Sequence, residues 1–374
     1  MAGIDRVSTV LIGLAVAVVG FAPVGGAVIA LFGLLLRQSK RAFPAAPSLL
    51  VLGAALTTSA LVNSSDLITA VLSIGVVAVL LTVIYLGTTR ITKRDAASLL
   101  AGSAVLLLVQ LFFALNQILG QGLTRAHGTT FHANQLGFLA ALMLPLYVSW
   151  AFRSQFAVSR IFAGLGALTG FTLIGLSGSR SALVSALLAS LLIVLMQIIQ
   201  KPSRRALVNY VAPGLVGVGL VIAALGVSSI RSTDGLLDPA GRAGLWETAL
   251  VMVSDRPVLG YGPGGWLEFA ELFEPQLRTD RVPHPHNLLL ELSVLGGLST
   301  MFAFVWLFSA LARSVIELST PACVQFGLAV CLVVLVCTTT DSVLTRIENL
   351  LLFVMMLGLA SAHRKPDPVE LTFE

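Results

Sequence analysis

The sequence predicts an all-α polytopic membrane protein with about twelve transmembrane helices and one long periplasmic loop that carries short amphipathic helices. The first reason is composition: 56% of the 374 residues are hydrophobic and only 11% are charged, whereas soluble domains carry about 25% charged residues. The second is that the apolar residues form continuous runs, as at 67–81, rather than the alternation of barrel strands. In lipid, a helix satisfies its own backbone polar groups within one such run.

The apolar runs give the number and position of the predicted spans. A helix needs roughly 20 apolar residues to cross the hydrocarbon core. The first two runs are short and could form one span kinked at Pro23, but we expect a hairpin turning at Ala22-Pro23, because about 45 Å of helix is too long for one crossing. The predicted spans are 7–21, 24–36, 48–62, 67–87, 96–118, 134–152, 161–176, 182–199, 206–227, 287–312, 322–340 and 348–362.

The basic residues of the short loops predict the orientation in the membrane. One side holds 15 of the 23 Lys and Arg residues and the other holds eight, five of them in the long loop, where the positive-inside rule carries little weight. The richer side is predicted to be cytoplasmic, with both termini on it if the spans number twelve. All four lysines lie there, so every outer cation is an arginine, which binds phosphate oxygens bidentately.

The chain then divides into transmembrane helices 1–9 (1–227), a large periplasmic loop (228–286) that we expect to carry the chemistry, transmembrane helices 10–12 (287–362) and a cytoplasmic tail (363–374). Within the loop, helical spacing of apolar residues at 245–254 predicts an amphipathic helix on the membrane surface. Turns follow, and then a second short helix. Its glutamates form either a divalent-cation site or a solvated face: Glu268, Glu271 and Glu274.

Several other classes of function have no support in the sequence. The net charge of +5 and pI near 9.4 come from scattered clusters rather than a continuous basic stripe, so no nucleic-acid partner is predicted. The glycine-rich segment 260–265 is not expected to belong to the βαβ unit that a dinucleotide loop requires. No His-Glu-x-x-His or Cys-x-x-Cys motif occurs, and all three cysteines lie in one apolar run as buried hydrophobes. We therefore predict no metal site and no cofactor.

Two outer turns carry polar residues next to apolar runs. Ser177-Gly-Ser-Arg places Arg180 at the membrane boundary, where arginine costs less than the roughly 2.5–3.5 kcal/mol of the helix centre. Arg180 either binds an anion or anchors the helix by snorkelling. The loop from Arg125 to Gln135 either lines the same cleft or serves as an interfacial anchor.

The segment Pro283-His-Pro-His-Asn-Leu ends the polar loop where the next apolar run begins. Asn287 or His286 is placed to cap that helix and to hold an imidazole at the boundary between water and lipid. Histidine, with a reference pKa of about 6.5, is the natural general base near neutral pH. Together with the outer arginines, this position favours a catalytic role over capping alone.

In order and topology, these segments resemble the bacterial O-antigen ligase and O-antigen polymerase superfamily. The resemblance covers roughly residues 60–360, and its motifs are more specific as an ordered set than singly. The matching pieces are Gly128-Thr-Thr-Phe-His-Ala-Asn-Gln-Leu-Gly, Ser177-Gly-Ser-Arg-Ser-Ala, Gly241-Arg-Ala-Gly-Leu-Trp-Glu, Asp255-Arg-Pro-Val-Leu-Gly-Tyr-Gly-Pro-Gly, and His286-Asn287 followed by Leu295-Gly-Gly-Leu.

The resemblance implies glycan transfer from an undecaprenyl-pyrophosphate carrier to a sugar hydroxyl on the outer face of the inner membrane. The acceptor is the lipid A core in ligases and another lipid-linked repeat unit in polymerases. The family roles fall on Arg180 and Arg242 as pyrophosphate contacts and on His286 as the base. Small polar residues often follow the histidine in ligases, and the Gly296-Gly297 sequence here shifts the balance towards a polymerase. Residues predicted to support the site are Asn287, Arg125, Trp246 and His284.

The alternative function is a membrane transporter or flippase of lipid-linked or small polar substrates. Ion-coupled carriers bury ionisable residues near the midplane and use broken helices. Of the charged residues here, only Glu291 lies inside a predicted span, about one turn from its start. This distribution favours the transferase.

Overall fold

The computed structural model describes residues 2–20, 22–37, 43–64, 66–200, 239–274 and 284–362. A π-helical turn at Asn116–Gly120 extends the helix Asp95–Leu115, and a 3-10 turn at Val343–Thr345 precedes the helix Ile347–Ser361. The α-helices of the described ranges are α1 (Ala2–Val19), α2 (Pro23–Leu35), α3 (Ala46–Asn63), α4 (Leu67–Arg90), α5 (Asp95–Leu115), α6 (Ala133–Arg153), α7 (Ala157–Ser177), α8 (Arg180–Gln200), α9 (Pro239–Asp255), α10 (Gly265–Phe273), α11 (Leu288–Leu318), α12 (Pro321–Thr338) and α13 (Ile347–Ser361).

The predicted class, an all-helical polytopic membrane protein, is confirmed. Eight of the described helices are long and apolar enough to cross a membrane, namely α3 to α8, α11 and α12, and α2 and α13 are shorter apolar helices. Large apolar side chains face outwards on these helices, for example Leu67 and Leu72 on α4, as expected where the solvent is lipid. The predicted span 206–227 lies outside the described residues, so the number twelve stays a prediction.

The first apolar run folds as the predicted hairpin. Pro23 opens α2 at a position where its missing N–H costs no hydrogen bond. The two helices then pack closely: a Cβ on Gly26 would lie 2.7 Å from the Cα of Val19, and the Ser8 hydroxyl donates to the Gly33 carbonyl at 2.6 Å. Small residues at the contact allow this approach.

Helix α6 is the centre of the bundle, with 72% of its most apolar stretch buried. It packs against α5, α7, α8, α12 and α13. Glycines admit the neighbouring side chains: Gly166 of α7 receives the ring of Tyr147, and Gly137 of α6 lies against Ser177 and Ser179. The second contact brings the start of α6 to the turn between α7 and α8, where the candidate site lies.

A buried ion pair holds helices together at the end of the bundle opposite the candidate site. Arg37, which follows α2, donates from both terminal nitrogens to the carboxylate of Asp95 at the start of α5. Asp95 also accepts from Thr9 at 2.9 Å and from the backbone of Thr92 at 2.7 Å. The pair therefore joins α1, α2 and the turn between α4 and α5.

Helix α11 is broken, whereas the sequence pattern predicts one continuous span over 287–312. Gly296 (φ −136°) and Gly297 (φ +71°) leave the helical region. The loop after α9 docks on the break: the backbone N–H of Tyr261 donates to the Val294 carbonyl at 2.7 Å, and that of Leu298 to the Pro257 carbonyl at 2.7 Å. A Cβ on Gly297 would lie 2.2 Å from the Val258 carbonyl oxygen, so glycine is required by conformation and by space.

The helix predicted over 245–254 is present as α9, and the predicted second helix is α10. The predicted amphipathic pattern is not found on α9, because Leu250 and Val251 are exposed, and its position on the membrane surface stays a prediction. Both bury an apolar face in one cluster with the first part of α11, comprising Leu245, Ala249, Met252, Val253, Tyr261, Trp266, Ala270 and Val294. Two of the glutamates are exposed on α10 and the third directly follows it. Their exposure favours the solvated face among the two readings.

Candidate active site

His286 lies in the short turn that precedes α11. Asn287 caps this helix, its side-chain oxygen accepting from the backbone N–H of Leu289 at 3.0 Å and of Leu290 at 3.2 Å. The Asn287 amide also donates to the Thr339 carbonyl at 3.1 Å, which ties the turn to the end of α12. With φ +53°, His286 is the one non-glycine residue of the described chain that has positive φ. Such backbone strain is concentrated at functional sites.

The ring of His286 pairs with Asp341, a residue that sequence analysis did not single out. The His286 Nδ1 lies 3.3 Å from Asp341 Oδ1. Asp341 follows α12, is buried, and also accepts from the backbone N–H of Ser342 at 2.8 Å and from the amide of Asn134 at 2.9 Å. Burial alone would raise the pKa of Asp341, but the hydrogen bonds from His286 and Asn134 hold it well below its usual value. The carboxylate is therefore ionised at neutral pH.

A chain of hydrogen bonds extends from Asp341 to Arg125. Asn134, near the start of α6, donates to Asp341 and accepts from the Arg125 guanidinium at 2.7 Å. Arg125 also donates from Nε to the Ser177 carbonyl at the end of α7, at 2.8 Å. The network thus joins the loop before α6 to α6, α7, the end of α12 and the start of α11. Asn134 belongs to a motif of the resemblance but was not singled out as a site residue.

Three arginines converge beside this network. Arg125, Arg180 and Arg242 are all exposed, and partial burial followed by the charges of Arg180 and Arg242 lowers the pKa of Arg125, against the opposing effect of Asp341. The predicted pair Arg180 and Arg242 is therefore close enough to Arg125 to interact electrostatically. Arg180 is the first residue of α8, so the N–H groups of that helix add to the positive potential. Such an arrangement suits a multiply charged anion.

His284 is adjacent to His286, with 4.3 Å between the ring centroids, and its Nδ1 accepts from the His286 backbone N–H at 3.3 Å. Burial, followed by the nearby His286, lowers the pKa of His284 to about 4. A base this weak is poorly matched to proton abstraction at neutral pH. Of the two histidines, His286 is the better candidate base.

Trp246 packs against the apolar cluster of α9, α10 and α11. Its indole nitrogen is buried and has no hydrogen-bond partner in the described part of the chain. The supporting role predicted for Trp246 therefore stays a prediction.

Within the described ranges, His284, His286 and Asp341 are the one group whose ligand atoms are near enough to suggest a metal site, all lying within 4.8 Å of one another. In a tetrahedral zinc site with bonds of about 2.0–2.1 Å, ligand atoms lie roughly 3.3 Å apart. The three side chains would have to contract to hold such an ion. The hydrogen bond between His286 and Asp341 accounts for two of them without a metal.

Comparison with known protein families gives a match over the part of the chain that contains His286. Residues 165–305 match a family model described as O-antigen ligase, a range that includes Arg180, Arg242 and His286. The chain matched no curated protein. The resemblance to the O-antigen ligase and polymerase superfamily is confirmed over these residues, and with the apolar helices it supports O-antigen ligase-like glycosyl transfer by a multi-pass membrane protein.

Proposed function

We propose that this protein transfers a glycan from an undecaprenyl-pyrophosphate carrier to a sugar hydroxyl at the periplasmic face of the bacterial inner membrane, without a metal. The observation that carries the proposal is the pairing of His286 with Asp341 beside three converging arginines. The acceptor is the lipid A core if the enzyme is a ligase and a second lipid-linked repeat unit if it is a polymerase.

His286 is the general base. Its Nδ1–H donates to the Asp341 carboxylate, which leaves Nε2 with the lone pair that takes the proton of the acceptor hydroxyl. The ionised carboxylate then stabilises the imidazolium that forms. Positioned bases of this kind contribute about 10²–10⁴-fold to a rate.

Arg180 and Arg242, assisted by Arg125, hold the pyrophosphate of the donor. As the bond between the anomeric carbon and the phosphate oxygen breaks, negative charge grows on the leaving pyrophosphate, and fixed guanidinium groups stabilise that charge in the transition state. Guanidinium groups remain charged at every relevant pH. Lipid pyrophosphate is already a good leaving group, so neither a protonating acid nor a metal is needed.

The reaction is a single displacement. The acceptor oxygen bonds to the anomeric carbon, the proton passes to His286, and the bonding electrons leave with the pyrophosphate. One displacement inverts the anomeric centre, so we expect opposite configurations in donor and product. Product that retains the donor configuration would contradict this mechanism.

The test is a transfer assay with the full-length protein in detergent and an undecaprenyl-pyrophosphate oligosaccharide. One reaction offers lipid A core as acceptor and a second offers only excess donor. Glycan joined to the core identifies a ligase, and chain growth on the carrier identifies a polymerase. Transfer to neither acceptor would contradict the proposal and favour the transporter alternative.

A further inference from the structure

The loop before α6 presents a phenylalanine to the outside from a rigid backbone. The Gln117 side chain accepts from the backbone N–H groups of His127 and Gly128, each at 2.9 Å, and donates to the Gly128 carbonyl at 2.8 Å. Thr130 closes the turn by donating to the His127 carbonyl at 2.7 Å. Phe131 follows this fixed turn and yet is 78% exposed, so its exposure is built into the loop rather than produced by fraying.

Arg346 lies over the Phe131 ring, with its guanidinium carbon 5.4 Å from the ring centroid. Arg346 precedes α13 and is itself exposed. No carboxylate of the described residues forms an ion pair with it. Glu291 and Glu348 lie near enough to interact with Arg346 electrostatically, but neither forms an ion pair with it. The pair therefore combines an open aromatic surface with an exposed cation that an anionic ligand can reach.

Phe131 and Arg346 lie next to the catalytic network. Phe131 immediately precedes His132, which interacts electrostatically with His286 and Asp341. Arg346 follows Asp341 by five residues in the same connection between α12 and α13, and it interacts with His284. In contrast, the basic neighbours of Arg125 are Arg180 and Arg242. Arg346 is thus a further cation near the two histidines, and it comes from a different part of the fold than the three arginines of the proposed pyrophosphate cluster.

A single displacement requires the attacking hydroxyl and the leaving pyrophosphate on opposite sides of the anomeric carbon. If the three converging arginines hold the pyrophosphate, the acceptor must approach from another side of His286. We propose that Phe131 and Arg346 form the acceptor subsite and bind a pyranose that carries an anionic group, either phosphate or carboxylate. This inference rests on the proposed function.

The chemistry of the pair fits this ligand. The C–H face of a pyranose stacks on an aromatic ring, and Phe131 remains open despite the guanidinium beside it. Guanidinium binds phosphate and carboxylate through two parallel hydrogen bonds. Phe131 thus supplies affinity for the sugar ring, and Arg346 supplies selectivity for its charge.

The test measures binding to the full-length protein by titration calorimetry, without the donor. The probes are a phosphorylated core oligosaccharide, the same oligosaccharide dephosphorylated with hydrofluoric acid, and an oligosaccharide that contains a uronic acid. The variants are Arg346→Ala, Phe131→Ala and Phe131→Tyr. Arg256→Ala is the matched control, because Arg256 is also an exposed arginine over an aromatic ring, 4.5 Å from the centroid of Tyr261.

We expect Arg346→Ala to weaken binding of an anionic probe by about 10- to 100-fold, the range for a hydrogen bond to a charged group, and to leave the neutral probe unchanged. Phe131→Ala weakens both, while Phe131→Tyr and Arg256→Ala weaken neither. Phosphate and carboxylate are distinguished by which anionic probe shows the effect of Arg346.

An equal loss for charged and neutral probes in Arg346→Ala would overturn the subsite, and so would the absence of binding by wild type to all three probes. Neither result depends on transfer activity. Binding with the expected pattern in a protein that transfers nothing would contradict the proposed function while supporting the subsite.

Discussion

Arg37 with Asp95 and His286 with Asp341 form two pairs at opposite ends of the bundle. The pairs differ in exposure and in how many of their hydrogen-bonding positions are occupied. Arg37 and Asp95 are 5% and 0% exposed, and threonines occupy the remaining acceptor positions of the carboxylate. His286 and Asp341 are 23% and 11% exposed. Among the described residues, hydrogen bonds to the His286 ring are made only at Nδ1. Nε2 therefore remains available for a substrate. The buried pair of Arg37 and Asp95 holds helices together, whereas the partly exposed pair of His286 and Asp341 can exchange a proton with a substrate.

The difference has an energetic reason. A buried pair is tolerable only when each charge is matched, because removal of one partner leaves a desolvated charge. The Arg37 pair meets this condition with hydrogen bonds from three elements. At the other end, Asp341 is matched by His286 and Asn134, whereas the neighbouring arginines exceed the acids around them. That surplus of positive charge suits an anionic substrate. We therefore expect substitutions at Arg37 and Asp95 to change stability and substitutions at His286 and Asp341 to change the rate of transfer.

The largest expected effect on stability is that of Arg37→Met, which leaves the Asp95 carboxylate buried without its cation. We expect a loss of about 3–5 kcal/mol in the free energy of unfolding, measured by thermal or denaturant unfolding in detergent, with transfer per folded molecule unchanged.

The double variant Arg37→Met with Asp95→Leu removes both charges and should recover most of this loss. Arg256→Ala is the control, because its pair with Asp255 is about half exposed at 3.7 Å and should cost at most about 1 kcal/mol. A loss no larger than this in Arg37→Met would show that the buried pair does not stabilise the fold more than an exposed pair does.

The second effect concerns rate. Asp341→Asn keeps the shape of the side chain but removes the charge that stabilises the imidazolium. We expect kcat/KM for transfer to fall by about 10- to 100-fold, the range for a hydrogen bond to a charged group, with little change in the melting temperature. A lower melting temperature together with the loss of activity would show that Asp341, like Asp95, mainly stabilises the fold.

The smallest effect is a pH dependence of stability at His284. In the unfolded chain this histidine gains a proton near its ordinary pKa of 6.5, whereas in the folded protein burial and His286 lower its pKa to about 4. The stability that His284 contributes is therefore present above pH 6.5 and is lost as the pH falls towards 4. His284→Gln removes this sensitivity.

We expect the variant to gain on the order of 1–2 kcal/mol over wild type when the pH is lowered from 7.5 to 4.5, after allowance for partial exposure. Melting temperatures at the two pH values measure the difference, and acid effects common to both proteins cancel. Parallel acid destabilisation of wild type and variant would contradict the assignment.

Much of the fold could be predicted from the sequence, because an apolar run in lipid satisfies its backbone polar groups by forming a helix. Every predicted span except 206–227, which lies outside the described residues, overlaps a described helix. The break in α11 was missed because hydropathy registers side chains, whereas Gly296 and Gly297 act through the backbone and through a loop some 35 residues earlier in the chain.

Some residues of the candidate site could likewise be predicted from the sequence, whereas others are revealed only by tertiary contacts. His286 and Arg180 stand out in the sequence because charged and titratable residues are rare at the outer ends of apolar runs, whereas Arg242 lies within the long loop and is singled out by the family resemblance alone. Asp341 also lies at such an end, after a run of threonines, and therefore looks like an ordinary boundary residue. Its pairing with His286 depends on the end of α12 meeting the start of α11 across 55 residues, which no local pattern records. Asn134 shares this dependence on tertiary contact.

The proposed mechanism requires that His286, paired with Asp341, act in transfer without a metal. The most direct measurement is the rate of glycan transfer by wild type and His286→Ala in excess chelator, on preparations matched for melting temperature. We expect full activity of wild type in chelator and a fall of about 10²–10⁴-fold in the variant. Loss of wild-type activity in chelator with recovery on added Zn²⁺ would instead make His284, His286 and Asp341 a metal site, and an active His286→Ala variant would remove the base from the mechanism.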